Sequence, residues 1–298
     1  AARLLRYDLG EGARHRWRRA RVGTVRLQRV SAFIQPVECI FPAGSRGILS
    51  LVGAGGKTSL MFHLARLLCA TGQKVLTTTT TKIYVPTPAQ SETVLVASDP
   101  QAILLQAAAL TGKTAHITAA AARIDAEEGK LKGFAPEAIE LFAASGLFDW
   151  ILVEADGAAR HPLKAPAAHE PVIPPNSNVV IAVAGLDALA TPLSEAGVFR
   201  ADLAAARMGL KAGECITENA LCRLISHPLG FFKGAPDGAL RVLFLNKADT
   251  QERRAAAARI ATKLEKHPLP VVDKLLVGQA LEALIIHAVF PLQADIEL

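Results

Sequence analysis

The sequence predicts an α/β protein built on a doubly wound, mostly parallel sheet, and three observations point there. Apolar runs such as Ile151-Leu152-Val153, Val179 to Ala184 and Arg241 to Leu245 are continuous rather than alternating, as strands covered on both faces require. Stretches with helical spacing stand between them. Finally, four of the strands end in polar clusters, and in open parallel sheets the ligand side is the carboxyl edge of the strands.

Taken in order, Ile48 to Val52 reads as a strand that breaks at Gly53-Ala54-Gly55-Gly56-Lys57-Thr58-Ser59 and resumes as a helix over Thr58 to Ala70. Glycines let backbone N–H groups converge on a polyphosphate, and the helix start adds its positive dipole end. Lys57 is expected at the outer phosphates and the Thr58 hydroxyl at a magnesium ion. The loop is shorter than the usual GxxxxGK[ST], because the position five before Gly56 is Leu51.

A second strand begins at Lys74-Val75-Leu76 and runs into five threonines, Thr77 to Thr81. Five hydroxyls in a row do not suit a dry core, so some of them, Thr80 included, are expected to face a polar ligand, with Lys82 nearby. Thr93 to Ala97 and His116 to Ala120 read as strands and Pro100 to Leu110 as a helix. Glu127 to Gly133 reads as a charged turn or hairpin, and Pro136 to Ala144 as a helix opened by proline.

Trp150 to Val153 ends in Glu154-Ala155-Asp156-Gly157. Two carboxylates two residues apart at a strand end suit the metal side of a triphosphate site, Glu154 first and Asp156 second, with Lys57 the third catalytic candidate. The following run to Pro175 is too rich in proline for a helix or central strand. Its Arg160, His161, Lys164, His169 and Glu170 are expected in a shaped loop beside the nucleotide, against an anionic group or second substrate. A helical insertion is expected over about 186–238. Asn246-Lys247-Ala248-Asp249 has the NKxD form, in which Asp249 accepts from guanine N–H groups, so the base leans towards guanine with ATP or GTP both open.

The 298 residues carry a formal charge of +6, but residues 1–30 hold nine arginines against Asp8 and Glu11, a surplus of seven that leaves the remainder at −1. A basic arm on a neutral body speaks only about the arm. Disordered tail, transit-like presequence, upstream extension and integral part of the fold all remain open. The expected division is a basic, poorly ordered extension over 1–45 and one domain over 46–298. Nucleic acid is not an expected partner. No apolar run reaches the roughly 20 residues of a membrane span. Cys39, Cys69, Cys215 and Cys222 form no CxxC pair, which fits incidental thiols in a reducing, cytoplasmic setting.

Together the stretches SLVGAGGKTSLMF (Ser50 to Phe62), VLTTTTTKIYVP (Val75 to Pro86), ILVEADGAARHPLKAPAAHEPVIP (Ile151 to Pro174) and FLNKAD (Phe244 to Asp249) resemble the YqeC-type accessory proteins of selenium-dependent molybdenum hydroxylases. The resemblance covers about residues 46–290, and the third stretch is the most specific. It implies a P-loop NTPase-like fold, a Mg2+-nucleotide, and a molybdenum hydroxylase client or its cofactor as partner. It also implies Gly53, Gly55, Gly56, Lys57, Thr58 and Ser59 at the phosphates, and Thr58, Glu154 and Asp156 at the metal. Five threonines stand where the resemblance calls for four. Three activities fit this pattern: NTP hydrolysis linked to maturation, a small-molecule kinase or ligase, and a chaperone that binds nucleotide or cofactor without hydrolysis.

Overall fold

A computed structural model describes residues 36–41, 44–124, 129–267 and 271–292. The arginine-rich arm and residues 125–128, which include the start of the expected charged turn, lie outside the described residues. From the segment assigned to the extension, Pro36–Ile40 forms a short helix, α1, and Phe41 packs edge-on against Trp150 with ring centroids 4.6 Å apart.

The chain then follows the expected alternation. Strand β1 (Gly47–Gly53) leads through the glycine loop to α2 (Lys57–Ala70), β2 (Val75–Thr79), β3 (Lys82–Tyr84) and β4 (Val94–Val96). Helix α3 (Pro100–Ala109), β5 (His116–Ala120), β6 (Ala122–Ile124), β7 (Lys130–Lys132), α4 (Pro136–Ala144) and β8 (Trp150–Glu154) complete the first half. Next come β9 (Leu163–Lys164), β10 (Ser177–Gly185), β11 (Val198–Phe199), α5 (Ala201–Met208) and α6 (Glu218–Ser226). The last elements are β12 (Leu240–Asn246), α7 (Gln251–Glu265), β13 (Lys274–Ala280) and β14 (Leu284–Pro291).

Nine strands form the main sheet in the order β14-β13-β12-β10-β1-β8-β2-β5-β4. Every pairing is parallel except the β13–β14 hairpin. The sheet is doubly wound because both faces of its strands are apolar. In β10, Val179, Ile181 and Val183 join the core under α2 with Leu60 and Leu64, while Val180, Ala182 and Ala184 face α5, α6 and α7. Helices α3 and α4 cover that second face beyond β8, through Ile103, Ile139 and Phe142.

From β8 the chain crosses back over β1 to reach β10, so the winding reverses around β1. Ligands of open α/β sheets bind at the carboxyl ends of strands at such a switch point, and the glycine loop leaves β1 there. Between β10 and β12, in the span expected as a helical insertion, lie α5 and α6, and the parallel pair β9–β11 ties this segment to the 157–175 loop. Of the expected charged turn over 127–133, Lys130–Lys132 forms β7, which pairs with both β6 and β3 in a three-stranded sheet.

The C-terminal hairpin β13–β14 and the long helix α7 have weak sequence signals. The β14 strand contains only one polar residue, His287, and α7 is dominated by alanine and charge.

Candidate functional site

Gly56 precedes α2 in the N-cap position and offers no side-chain cap, whereas Asp99, Thr217 and Thr250 accept backbone N–H bonds at the starts of α3, α6 and α7. The first N–H groups of α2 thus have no side-chain cap, as at the start of α4. Three glycines are required for space as well as conformation, and at Gly53 (φ +88°) a Cβ would lie 2.3 Å from the Val183 oxygen. At Gly55 (φ +82°) a Cβ would lie 2.6 Å from the Gly185 nitrogen and 2.7 Å from the Pro162 oxygen. At Gly56 (φ +125°) it would lie 2.3 Å from Asn246 Nδ2. Ser59 sits in the first turn of α2, half-buried.

Under the loop lies a buried charge cluster. Lys57 Nζ donates to the Gly53 carbonyl at 2.7 Å and stands 3.1 Å from Asp156 Oδ1 and 3.9 Å from Glu154 Oε1. Thr58 Oγ1 donates to Glu154 Oε2 at 2.6 Å, and Asp156 Oδ2 accepts the Gly53 N–H at 3.1 Å. Parallel register sets this meeting, since Leu51 pairs with Glu154, the last residue of β8. Asp156 follows two residues on and reaches under the loop.

Burial pulls the Lys57 ammonium towards neutrality, but the charges of Asp156 and Glu154 outweigh it and its pKa lies above the ordinary lysine value. For Glu154 the balance is reversed: burial raises its pKa, and Lys57 and the Thr58 hydroxyl offset this only in part.

Behind Asp156, Lys164 is fully buried and bridges Asp156 Oδ2 (3.1 Å), Glu170 Oε2 (2.8 Å) and the Gly157 carbonyl (2.5 Å). Arg200, at the start of α5, donates through both terminal nitrogens to the Glu170 carboxylate. Burial would raise the Glu170 carboxyl, yet the hydrogen bonds from Arg200 and Lys164 draw it down to about 2. Sequence reasoning missed Arg200 because its tie to Glu170 spans 30 residues and no motif marks it. It also missed Lys233, which donates to the carbonyls of Ala167 (2.7 Å), Ala168 (2.5 Å) and Glu170 (2.8 Å) and pins the loop.

The expected ligand-facing groups of the 157–175 loop divide. His161 faces backbone oxygens with both ring nitrogens, Ala158 at 3.2 Å and Glu195 at 2.9 Å, and stacks on Phe199. With Lys164 and Glu170 it therefore builds the loop, while Arg160, over the Tyr84 ring at 4.6 Å, and His169 stay exposed.

The threonine run differs from expectation for a similar reason: every hydroxyl has a protein partner. Thr77 bonds Thr118 and His116, Thr78 the Ala119 carbonyl, Thr79 the Glu154 carbonyl, Thr80 the Val172 carbonyl, and Thr81 contacts Thr79. These hydroxyls brace the loop edge. Lys82 is exposed on β3.

The NKAD stretch reaches the loop from the other side. Asn246 Nδ2 donates to the Gly55 carbonyl at 2.6 Å, and its Oδ1 accepts the Ala280 N–H at 3.0 Å. Lys247 bonds Asp187 at 2.6 Å, and exposed Asp249 holds Arg253 through both oxygens at 2.9 and 3.0 Å. A cleft of about 550 Å³ opens beside it, lined among others by Asp187, Ile216, Arg253 and Lys263.

Residues 49–202 match the model of the YqeC protein family. The protein YqeC of Escherichia coli (strain K12) is 37% identical over 246 residues, 82% of this chain and 93% of that one. The chain belongs to the YqeC family. The YqeC match includes the glycine loop, the Glu154–Asp156 pair and the whole 157–175 loop, and reaches Arg200; Asn246 to Asp249 lie beyond it. Among solved structures, chloroplast FtsY from Physcomitrella patens is 17% identical at a TM-score of 0.40, over 88% of this chain and 66% of that one. FtsY from Mycoplasma mycoides is 16% identical at a TM-score of 0.35, over 83% and 65%.

A magnesium-nucleotide fits the donor set of this YqeC protein. Asp156 Oδ1 is buried and accepts no hydrogen bond among the described residues, with only the Lys57 ammonium beside it. Thr58, Glu154 and Asp156 supply the hard oxygens magnesium prefers. Among the described residues no group of three or more His, Cys, Asp or Glu could hold a metal ion. The four cysteines are free, and no described helix is long and apolar enough to cross a membrane.

Proposed function

We propose that the Gly53 to Thr58 loop binds the phosphates of ATP or GTP with Mg2+, and that hydrolysis there serves maturation of a selenium-dependent molybdenum hydroxylase or its molybdenum cofactor. The observation that carries the nucleotide reading is the lysine beneath the loop, Lys57, held between Gly53 O and two buried carboxylates where only a competing anion would draw it outward. The client reading rests on the resemblance carried by the long Ile151 to Pro174 stretch.

In this reading Lys57 leaves the Gly53 carbonyl for the outer phosphates, and the free N–H groups of α2 and the loop hold the inner ones. Thr58, which now donates to Glu154, would together with Glu154 and Asp156 hold the magnesium ion. Magnesium, when bound, neutralises charge developing on the transferred phosphoryl group. The kinase reading has less support, because His161, Lys164 and Glu170 are engaged within the protein and leave Arg160 and His169 for an acceptor.

Titration of the purified chain with ATP and GTP, with and without magnesium, tests this by calorimetry with phosphate release followed in the same samples. Magnesium-dependent binding with slow release is expected. Binding without release would transfer the reading to a non-hydrolysing chaperone, and no binding would remove the nucleotide altogether.

A further inference from the structure

Five charges of alternating sign run from beneath the phosphate loop into the helical insertion. Lys57 lies 3.1 Å from Asp156, Asp156 lies 3.1 Å from Lys164, Lys164 lies 2.8 Å from Glu170, and Glu170 takes both arms of Arg200. The first four groups are buried, so each charge depends on its neighbours rather than on water.

Arg200 has no local reason to be where it is. It occupies the N-cap position of α5 with φ +62°, a left-handed conformation that a bulky side chain seldom adopts. It makes no capping bond, and a cation at a helix N-terminus opposes the helix dipole. Its distant compensation is the fork on Glu170, and the ring of the preceding residue, Phe199, lies 4.5 Å from the guanidinium carbon. Phe199 is also the register partner of Lys164 in the β9–β11 pair, so backbone and side chains bind the same two segments. A residue that breaks several local rules for one distant contact is where a site's requirements outweigh those of the fold.

We propose that Arg200 is a positioning residue for the phosphate site, acting through Glu170 and Lys164 on Asp156 so that Lys57 is free to leave it. The inference rests on the nucleotide reading of the loop. With Arg200 in place, Glu170 is shared and Lys164 spends part of its charge on Asp156. Without Arg200, Lys164 moves onto Glu170, Asp156 falls back on Lys57, and the lysine is held off the phosphates. By the same linkage, a nucleotide that draws Lys57 away strengthens Asp156–Lys164 and tightens the insertion at α5.

The test compares the full chain with Arg200→Gln and Arg200→Lys for Mg-ATP and Mg-GTP affinity by calorimetry, alongside thermal melting. Arg200→Gln is expected to weaken binding roughly fivefold or more. Arg200→Lys, which keeps the charge but not the fork, falls between. A lowered melting temperature with affinity within about twofold of the parent would mean a purely structural residue and overturn the proposal. Should Arg200→Gln not fold, hydrogen exchange of the parent decides: Ala201 to Met208 must slow when Mg-nucleotide is added, and unchanged exchange overturns the coupling. A parent chain that binds neither nucleotide overturns both readings, and that outcome is visible before any variant is made.

Discussion

Asn246 donates to the Gly55 carbonyl at 2.6 Å across 191 residues of sequence. One amide thereby sets the distance between the loop that begins the site and the strand end that closes it, and with its Oδ1 on Ala280 it has no freedom to turn.

The amide and Gly56 share one space. Gly56→Ala would push a Cβ to 2.3 Å from Asn246 Nδ2 at a positive φ, and should destabilise the fold by about 2 kcal/mol. Asn246→Ala should be destabilising alone, yet the double variant should cost less than the two single costs together. Additive melting curves would show that the two positions do not compete for this space.

Lys57→Met removes the cation from between two buried carboxylates. Loss of about 3 kcal/mol in urea unfolding is expected, since breaking a buried pair leaves a charge without its partner. Nucleotide affinity should fall at least about tenfold. Unchanged affinity in calorimetry would place the phosphates elsewhere.

The Glu170 carboxyl, held at about 2, gives the protein an acid limit. A depressed acid contributes stability above its unfolded pKa and loses it as pH falls through the folded one, so the contribution vanishes between about 4.5 and about 2. Glu154, shifted upward by burial, works in the opposite sense. Glu170→Gln should therefore flatten the acid limb of stability against pH; an acid limb as steep as that of the parent would contradict the assignment.

Asp249 is the base-reading candidate, at present occupied by Arg253. GTP should bind more tightly than ATP, and Asp249→Asn should reduce that preference by roughly tenfold. Arg253→Ala should raise GTP affinity by releasing the carboxylate. Equal affinity of the unmodified chain for the two nucleotides would remove Asp249 from this role.

Much of this was legible because it is local. Strand β1, its glycines and Lys57 follow one another in sequence, and apolar runs ending in Glu154 or Asn246 mark strands whose carboxyl ends must share an edge. Helix α4 starts and stops where proline and periodicity put it, at Pro136 and Ala144. What sequence could not give was the use of each polar group. The five threonines looked like ligand contacts because hydroxyls need partners, and the partners turned out to be carbonyls and hydroxyls of neighbouring strands and the 157–175 loop. Lys164 and Glu170 looked like substrate contacts for the same reason. Arg200 carried no signal, since a charge opening a short helix reads as solvated unless its distant partner is known.

The central strand also governs when the site can exist. Gly53 bonds Asp156 across 103 residues, and Ile48 bonds Asn178 across 130. During synthesis β1 emerges from the ribosome long before either neighbour, and the glycine loop has no floor until Asp156 follows and no wall until β10 pairs. A nascent chain therefore carries an unpaired apolar strand until β8 and β10 follow, and the fraction that pairs with another chain instead is set by how quickly they arrive.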